Sequence, residues 1–122
     1  MKLQTLRPDP RLSAVYVYRD PVDFRRGHRG LSVLVEHEHG HDPFNGVLYV
    51  FRNKQRNKIK CLFWEDNGFV LYYKALAEER FHWPSGDEEL ITLNGEQLNW
   101  LLDGYNVALM QPHRTLSYES VG

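Results

Sequence analysis

The spacing of apolar residues predicts a short strand followed by a helix in the first third of the chain. Val15–Tyr18 is apolar and aromatic throughout and is followed by Asp20-Pro21, which is typical of a short strand. Apolar residues then recur near helical spacing, so we predict a helix from about residue 24 to residue 36, with Asp23 as its N-cap. The buried stripe of this helix would consist of Phe24, Leu31, Leu34 and Val35.

From residue 47 onward the apolar pattern changes to the period of two that is typical of strands. Residues 47–53, 58–65 and 69–75 predict three consecutive antiparallel strands. Asn67-Gly68 is the hairpin signal between the last two, because both residues tolerate a positive φ. Residues 80–83 predict a fourth short strand. The first two strands are apolar on both faces, so helices or another subunit must cover both sides of the sheet.

A second helix is predicted from about residue 95 to residue 103. Asn94 and Gln97 fit a capping box at its start, and Gly104 fits the glycine that often follows a helix. These elements predict a single compact α+β domain with an antiparallel meander of three to four strands, a short N-terminal strand and two helices.

Length and composition favour one globular domain in a reducing compartment. The 122 residues are 42% hydrophobic, which suits a single core of modest size. The domain is predicted to span residues 14–106, between a loosely ordered arm at 1–13 and a C-terminal tail at 107–122. The single cysteine, Cys61, excludes an internal disulfide, and no apolar run approaches the length of a membrane span. We therefore predict a cytoplasmic protein.

The two halves of the chain carry opposite charges, although the whole is close to neutral. Residues 1–64 contain 12 Lys and Arg against 6 Asp and Glu, and residues 65–122 contain 3 against 10. This asymmetry predicts one basic face and one acidic face. The acidic half could shield the basic half or bind a basic partner protein, and the sequence leaves both open.

The strongest functional signal is a row of cations at every second position around the first predicted hairpin. Alternate residues of a strand share one face, so we expect these side chains to project together as a ridge. Such a ridge would contact DNA phosphates, and a two-stranded ribbon fits a major groove. The alternative is a solvated hairpin tip whose charges protect a strand edge. The residues are Arg52, Lys54, Arg56, Lys58 and Lys60.

Arg25 and Arg26 form a second candidate anion site. Cations near the start of a helix oppose its dipole, so their presence indicates either a phosphate site or a local ion pair. The acids available for such a pair are Asp20, Asp23 and a carboxylate from the C-terminal half.

Neither a metal site, nor a cofactor, nor an enzyme is predicted. The stretch Glu36–His41 alternates histidines with other residues but matches no fixed zinc spacing. A metal-dependent nuclease would need converging acids, and capping or turn roles account for Asp23, Asp42 and Glu65-Asp66. Tryptophans in such positions are more typical of a core than of a base-stacking surface. The three are Trp64, Trp83 and Trp100.

Six short blocks, in a fixed order, match the pattern of a known family. The blocks are Asp23-Phe-Arg-Arg-Gly-His-Arg-Gly-Leu31, Asp42-Pro-Phe-Asn-Gly-Val-Leu-Tyr-Val-Phe-Arg-Asn53, Lys58-Ile-Lys60 with Trp64, Leu71-Tyr-Tyr-Lys74, Arg80-Phe-His-Trp-Pro84, and Glu96-Gln-Leu98 with Leu101-Leu102-x-Gly104. Together they resemble the small TnpB-type (second open reading frame) accessory proteins of IS66-class insertion sequences, which are distinct from the RNA-guided nuclease of the same name. The resemblance departs at Arg29, where the family usually has an acid.

The resemblance implies a role in transposition beside a separate, larger transposase. Our hypothesis is an accessory protein that binds DNA or a transposase–DNA complex. The alternative is a protein–protein adaptor that docks its basic hairpin on the transposase and does not touch DNA. The sequence also leaves open whether the protein forms a homo-oligomer. The candidate nucleic-acid-binding residues are Arg25, Arg26, Arg52, Lys54, Arg56, Lys58 and Lys60.

Overall fold

The fold is a five-stranded sheet with a helix on each face. The computed structural model describes residues 6–38 and 40–110, and at residue 38 it describes the backbone only. In chain order the elements are β1 (Val15–Tyr18), α1 (His28–Val33, continued by a π-helix at Leu34–Glu38), β2 (Leu48–Arg52), β3 (Lys58–Glu65), β4 (Gly68–Ala75), β5 (Leu90–Leu93), α2 (Gly95–Leu102) and a 3₁₀ helix (Val107–Met110). The strands lie in the order β4-β3-β2-β1-β5, which confirms the predicted α+β class.

The sheet combines the predicted antiparallel meander with two further pairings. β2, β3 and β4 pair antiparallel in sequence. β1 lies parallel to β2, and residues 19–47, which include α1, form the crossover that a parallel pair needs. β5, which the sequence did not predict, pairs antiparallel with β1. The strand predicted at residues 80–83 is wrong, because Phe81 is buried against one face of the sheet and the segment joins no strand.

Both faces of the sheet are apolar because a helix covers each of them. On one face, which we call the α2 face, Leu98, Leu101 and Leu102 pack with the strands. On the other, the α1 face, the cover comes from α1 and the π-helix that follows it. The two-sided apolar pattern of β2 and β3 is thus satisfied within one chain. The buried core of the α1 face consists of Tyr18, Leu31, Leu34, Val35, Tyr49, Phe51 and Leu62.

The first helix begins four residues later than the sequence predicted. Its N-cap is Gly27, and no side chain bonds to the free amides there. Asp23, predicted as the cap, instead closes a turn, since its Oδ1 accepts from the Arg25 amide at 2.9 Å and its carbonyl accepts from the Arg26 amide at 3.1 Å. An Asp side chain that bonds two residues ahead competes with helix formation, which is why the helix is delayed.

The turn between β3 and β4 is shifted by one residue from the predicted Asn67-Gly68. Glu65 pairs directly with Gly68, so the two-residue loop is Asp66-Asn67. Asp66 takes the positive φ, at 55°, and Gly68 is the first residue of β4. Asp is among the few residues that tolerate this conformation at modest cost.

The second helix follows its sequence signals closely. The Asn94 side chain accepts from the Gln97 amide, and the Gln97 side chain accepts from the Asn94 amide, which confirms the predicted capping box. Gly104 follows the helix with a φ of 93°, as a glycine at this position should. Both signals depend only on residues at the ends of the helix, so the sequence alone was enough to predict them.

The described part of the N-terminal arm, residues 6–13, packs against α2. The Asn99 amide donates to the Pro8 carbonyl at 3.0 Å, and Arg7 pairs with Asp103. Gly95 has no room for a Cβ because the backbone of residues 9 and 10 lies against it. Residues 1–5 of the predicted arm, and residues 111–122 of the predicted tail, lie outside the described residues. The predicted domain boundaries therefore stay predictions.

Candidate nucleic-acid interface

The loop between β2 and β3, residues 53–57, is organised by a single buried asparagine. The Asn53 Oδ1 accepts from the backbone amides of Asn57 and Lys58, both at 3.1 Å. Its Nδ2 donates to the Asn57 Oδ1 at 2.7 Å. Arg56 sits in the loop with a φ of 63°. These bonds fix the shape of the hairpin tip, so the cations it carries are presented by an ordered loop.

The five cations of the predicted ridge do not share one face of the sheet. Arg52 pairs with Ile59, and Phe51 pairs with Lys60. Residues that pair directly across two strands point to the same face, so Arg52 lies on the α2 face and Lys60 on the α1 face. The prediction that these side chains project together is therefore wrong. Even-numbered residues point to the α2 face in β2 but to the α1 face in β3.

Lys60 is an internal cation of the fold. It is 8% exposed, and its Nζ donates to the carbonyls of Phe24 at 2.9 Å and Arg26 at 2.8 Å. The same ammonium lies 4.9 Å from the Phe24 ring centre and 5.4 Å from that of Tyr73. Burial lowers the pKa of Lys60 from its ordinary value. Lys60 thus joins the turn before α1 to the sheet.

Arg52 is also engaged within the fold. Its Nε donates to the Arg19 carbonyl at 3.1 Å, and one terminal nitrogen donates to the Asn53 carbonyl at 3.3 Å. The guanidinium lies 6.0 Å from the ring centre of Trp83. Burial lowers the pKa of Arg52. Arg52 and Lys60 therefore both make hydrogen bonds within the fold.

Of the two candidate arginines, Arg25 is exposed and paired, and Arg26 turns toward its own helix. Arg25 makes a two-pronged bond with Asp23, with a shortest distance of 2.6 Å, although its side chain is 91% exposed. The side-chain bond from Arg25 holds the pKa of Asp23 down to about 2. Arg26 donates to the Gly30 carbonyl at 3.2 Å. The local ion pair weighed in the sequence analysis is therefore present at Arg25.

The structure does bring Arg25 next to the hairpin tip. A shallow depression of about 400 Å³ lies between the turn before α1 and the loop. Within the described residues, Lys54, Arg56 and Lys58 make no side-chain hydrogen bond or ion pair. We call Arg25, Lys54, Arg56 and Lys58 the basic end. The depression is lined by Val22, Asp23, Phe24, Arg25, Asn53, Lys54, Gln55 and Lys58.

Three charged residues that the sequence analysis did not connect with the hairpin lie beside it. The Leu76 amide donates to the Asn57 carbonyl at 2.8 Å, and the Phe81 amide donates to the Arg56 carbonyl at 2.7 Å. These two bonds hold the segment between them against the tip. The segment adds one exposed cation and two exposed acids to the neighbourhood: Arg80, Glu78 and Glu79. The only sequence feature that could have indicated this contact was the apolar Phe81, which is buried in the structure and holds the segment in place.

The remaining candidate residues serve packing or turns. Trp83 Nε1 donates to the Tyr18 carbonyl at 2.9 Å, which agrees with a core role for this residue. His41 packs its ring 5.5 Å from that of Tyr16. Asp42 accepts from the Phe44 amide at 2.9 Å in a turn. Across residues 6–38 and 40–110, no three His, Cys, Asp or Glu side chains converge to hold a metal ion, and no helix could span a membrane.

With this geometry in place, the comparisons with known proteins define the class of protein. Residues 13–112 match the family of IS66 Orf2 like proteins, and the chain belongs to this family. It is an accessory protein of IS66-class insertion sequences, as the six sequence blocks implied.

Two relatives come from Sinorhizobium fredii (strain NBRC 101917 / NGR234). The uncharacterized protein y4jC is 33% identical over 90 residues, which cover 74% of this chain and 77% of the relative. The uncharacterized protein y4hO is 31% identical over 90 residues, which cover 74% of this chain and 78% of the relative. No solved structure matches the chain.

Proposed function

We propose that this transposition accessory protein binds DNA, alone or in complex with the transposase, through the basic end. The observation that supports the proposal is the convergence of Arg25, Lys54 and Lys58 on one depression beside the exposed Arg56. Arg52 and Lys60 support this surface from within the fold and do not contact the ligand. Arg26 orders the start of α1.

The chemistry of the basic end fits phosphate contact more than base recognition. Long flexible cations on an ordered loop can each approach a phosphate, and such contacts supply affinity that does not depend on sequence. The loop carries Gln55 between Lys54 and Arg56, so one amide is also available for a polar contact. The segment bonded to the tip carries the exposed acids Glu78 and Glu79 beside the exposed cation Arg80, so its net charge would not attract phosphates.

A salt-titrated binding assay with the purified protein and duplex DNA tests the proposal. Three or four phosphate contacts predict that the logarithm of affinity falls against the logarithm of salt with a slope of about −3. The duplex should include the terminal repeats of the element and an unrelated sequence of equal length. Absence of measurable binding at low salt, or a slope near zero, would overturn the proposal.

Removal of the Asp23 charge is expected to strengthen DNA binding. In Asp23→Asn the side-chain oxygen can still accept from the Arg25 amide, so the turn is preserved, but Arg25 loses its ionic partner. We expect affinity to rise about threefold and the salt slope to steepen by up to about one. Asp20→Asn is the matched control, because Asp20 pairs with Arg19 instead. An unchanged affinity in Asp23→Asn would show that Arg25 does not reach the DNA.

An adaptor role is favoured by one further observation. A cavity of about 360 Å³ beside the turn before α1 is lined by three acids, Asp20, Asp23 and Glu89, and by one cation, Arg26. A basic segment of the transposase would suit this net acidic lining. If Asp20→Asn combined with Glu89→Gln abolishes transposase binding and the parent protein has no DNA affinity, the adaptor replaces the DNA-binding proposal.

A further inference from the structure

Within the described residues, the outer edge of β4 has fewer protective features than the other edge of the sheet. β4 has eight residues, whereas β5 at the opposite edge has four. The acidic segment at residues 87–89 directly precedes β5. Short length and nearby charge are devices that prevent strand edges from pairing with other chains. β5 has both of them, and β4 is long and almost entirely apolar or aromatic.

The one charged residue of β4, Lys74, does not place its charge at the open edge of the strand. Lys74 pairs with Ile59 of β3, and its Nζ donates to the Leu102 carbonyl at 2.8 Å. This bond holds the ammonium over the α2 face, away from the open edge. The strand contains no proline, and two of its apolar or aromatic side chains are prominently exposed, Val70 at 46% and Tyr73 at 53%.

The backbone groups that point outward along β4 can be assigned from the hydrogen bonding. The Leu76 amide donates to the Asn57 carbonyl, one step beyond the pair Lys58 and Ala75. In an antiparallel ladder, bonded and non-bonded pairs alternate, so the even-numbered residues of β4 bond to β3. Among the described residues, no strand pairs with the outer side. The residues whose N–H and C=O point outward are Phe69, Leu71, Tyr73 and Ala75.

We propose that β4 pairs antiparallel with β4 of a second copy of this chain, to give one continuous ten-stranded sheet. Pairing centred on Tyr72 brings outward-pointing residues of one copy opposite outward-pointing residues of the other. Leu71 then faces Tyr73, and the large Phe69 faces the small Ala75 of the second copy. On the α2 face Val70 faces Lys74, so no like charges are opposed.

A second copy is favoured over an unrelated strand because this edge is complementary to itself. A two-fold axis places each outward donor opposite an outward acceptor along the whole strand. The arrangement also leaves the two basic ends at opposite ends of the joint sheet, because the paired strands run in opposite directions. The dimer does not depend on DNA binding, so the failure of either proposal leaves the other standing.

Sedimentation equilibrium over a range of protein concentrations tests the dimer. Pairing through one strand edge is expected to be weak, with a dissociation constant of about 1–100 µM, so the mass should rise with concentration toward twice 14.4 kDa. Val70→Lys adds a charge at the strand edge, where an exposed charge prevents pairing with another chain, and should weaken association at least about tenfold. Val70→Glu adds a charge at the same place and should weaken association similarly.

Val33→Lys is the matched control for these variants. Val33 is 44% exposed on the outer side of α1, so it undergoes the same change of side chain at similar exposure away from the edge. It should associate like the parent protein. A parent protein that stays monomeric at about 100 µM, or a dimer that Val70→Lys does not weaken, would overturn the proposal.

Discussion

Reversal of the three unpaired cations of the hairpin, Lys54→Glu, Arg56→Glu and Lys58→Glu together, is expected to reduce affinity for duplex DNA by at least about 100-fold. Each change removes a phosphate contact and adds a repulsive charge. The three side chains have no bonds to other described residues, so the fold should survive. Fluorescence anisotropy at low salt measures the loss, and an unchanged affinity would show that the basic end is not the DNA site.

One variant, Arg56→Gly, is expected to weaken DNA binding without lowering the stability of the fold. Arg56 has a φ of 63°, where a side chain is strained, so Arg56→Gly should stabilise the fold by about 0.5 kcal/mol while it weakens DNA binding about fivefold. Asp66→Gly is its control, because Asp66 has a φ of 55° in the turn at the other end of β3. Asp66→Gly should leave DNA affinity unchanged. Weaker DNA binding in Asp66→Gly would argue against an interface confined to the basic end.

Lys60→Ala is expected to lower the free energy of unfolding by about 3 kcal/mol. The change removes two charge-assisted hydrogen bonds and leaves the carbonyls of Phe24 and Arg26 without their donor. It also removes an ammonium that lies against two aromatic rings. Urea denaturation, followed by circular dichroism, measures the difference.

Lys58→Ala is the matched control on the same strand and the same face. Lys58 makes no side-chain bond with the described residues, so its stability should change by less than about 0.5 kcal/mol. DNA binding should weaken in Lys58→Ala, because Lys58 belongs to the basic end. Equal loss of stability in the two variants would contradict the internal role of Lys60.

Much of the fold could be predicted from the sequence because its signals are local. The strands of the meander and the capping box of α2 depend on residues close together in the chain, and the structure has them where they were expected. β5 was missed because its four residues, Leu90–Leu93, form a strand only by pairing with β1, more than 70 positions earlier. The start of α1 was placed too early because the Asp23 side chain stabilises a turn as readily as a helix cap.

The candidate site could be predicted only in part. The sequence located the hairpin and its cations, and it raised the ion pair at Arg25 as an alternative that the structure contains. It could not connect Arg25 with Lys54 and Lys58, because about 30 residues of chain separate the turn from the tip. It also could not show that Glu78 and Glu79 lie beside the tip, which two backbone hydrogen bonds achieve.

The sequence by itself determined the class of fold, the family and the number of cations in the hairpin. Only the tertiary structure decided which of those cations are exposed to solvent. The physical reason is the register of β2 against β3. Arg52 pairs with Ile59, so even-numbered residues lie on one face of the sheet in β2 and on the other face in β3. A register shifted by one residue would have placed Arg52 and Lys60 on the same face. As a result Lys60 is buried under the turn before α1, Arg52 lies by Trp83, and Lys54, Arg56 and Lys58 remain at the surface.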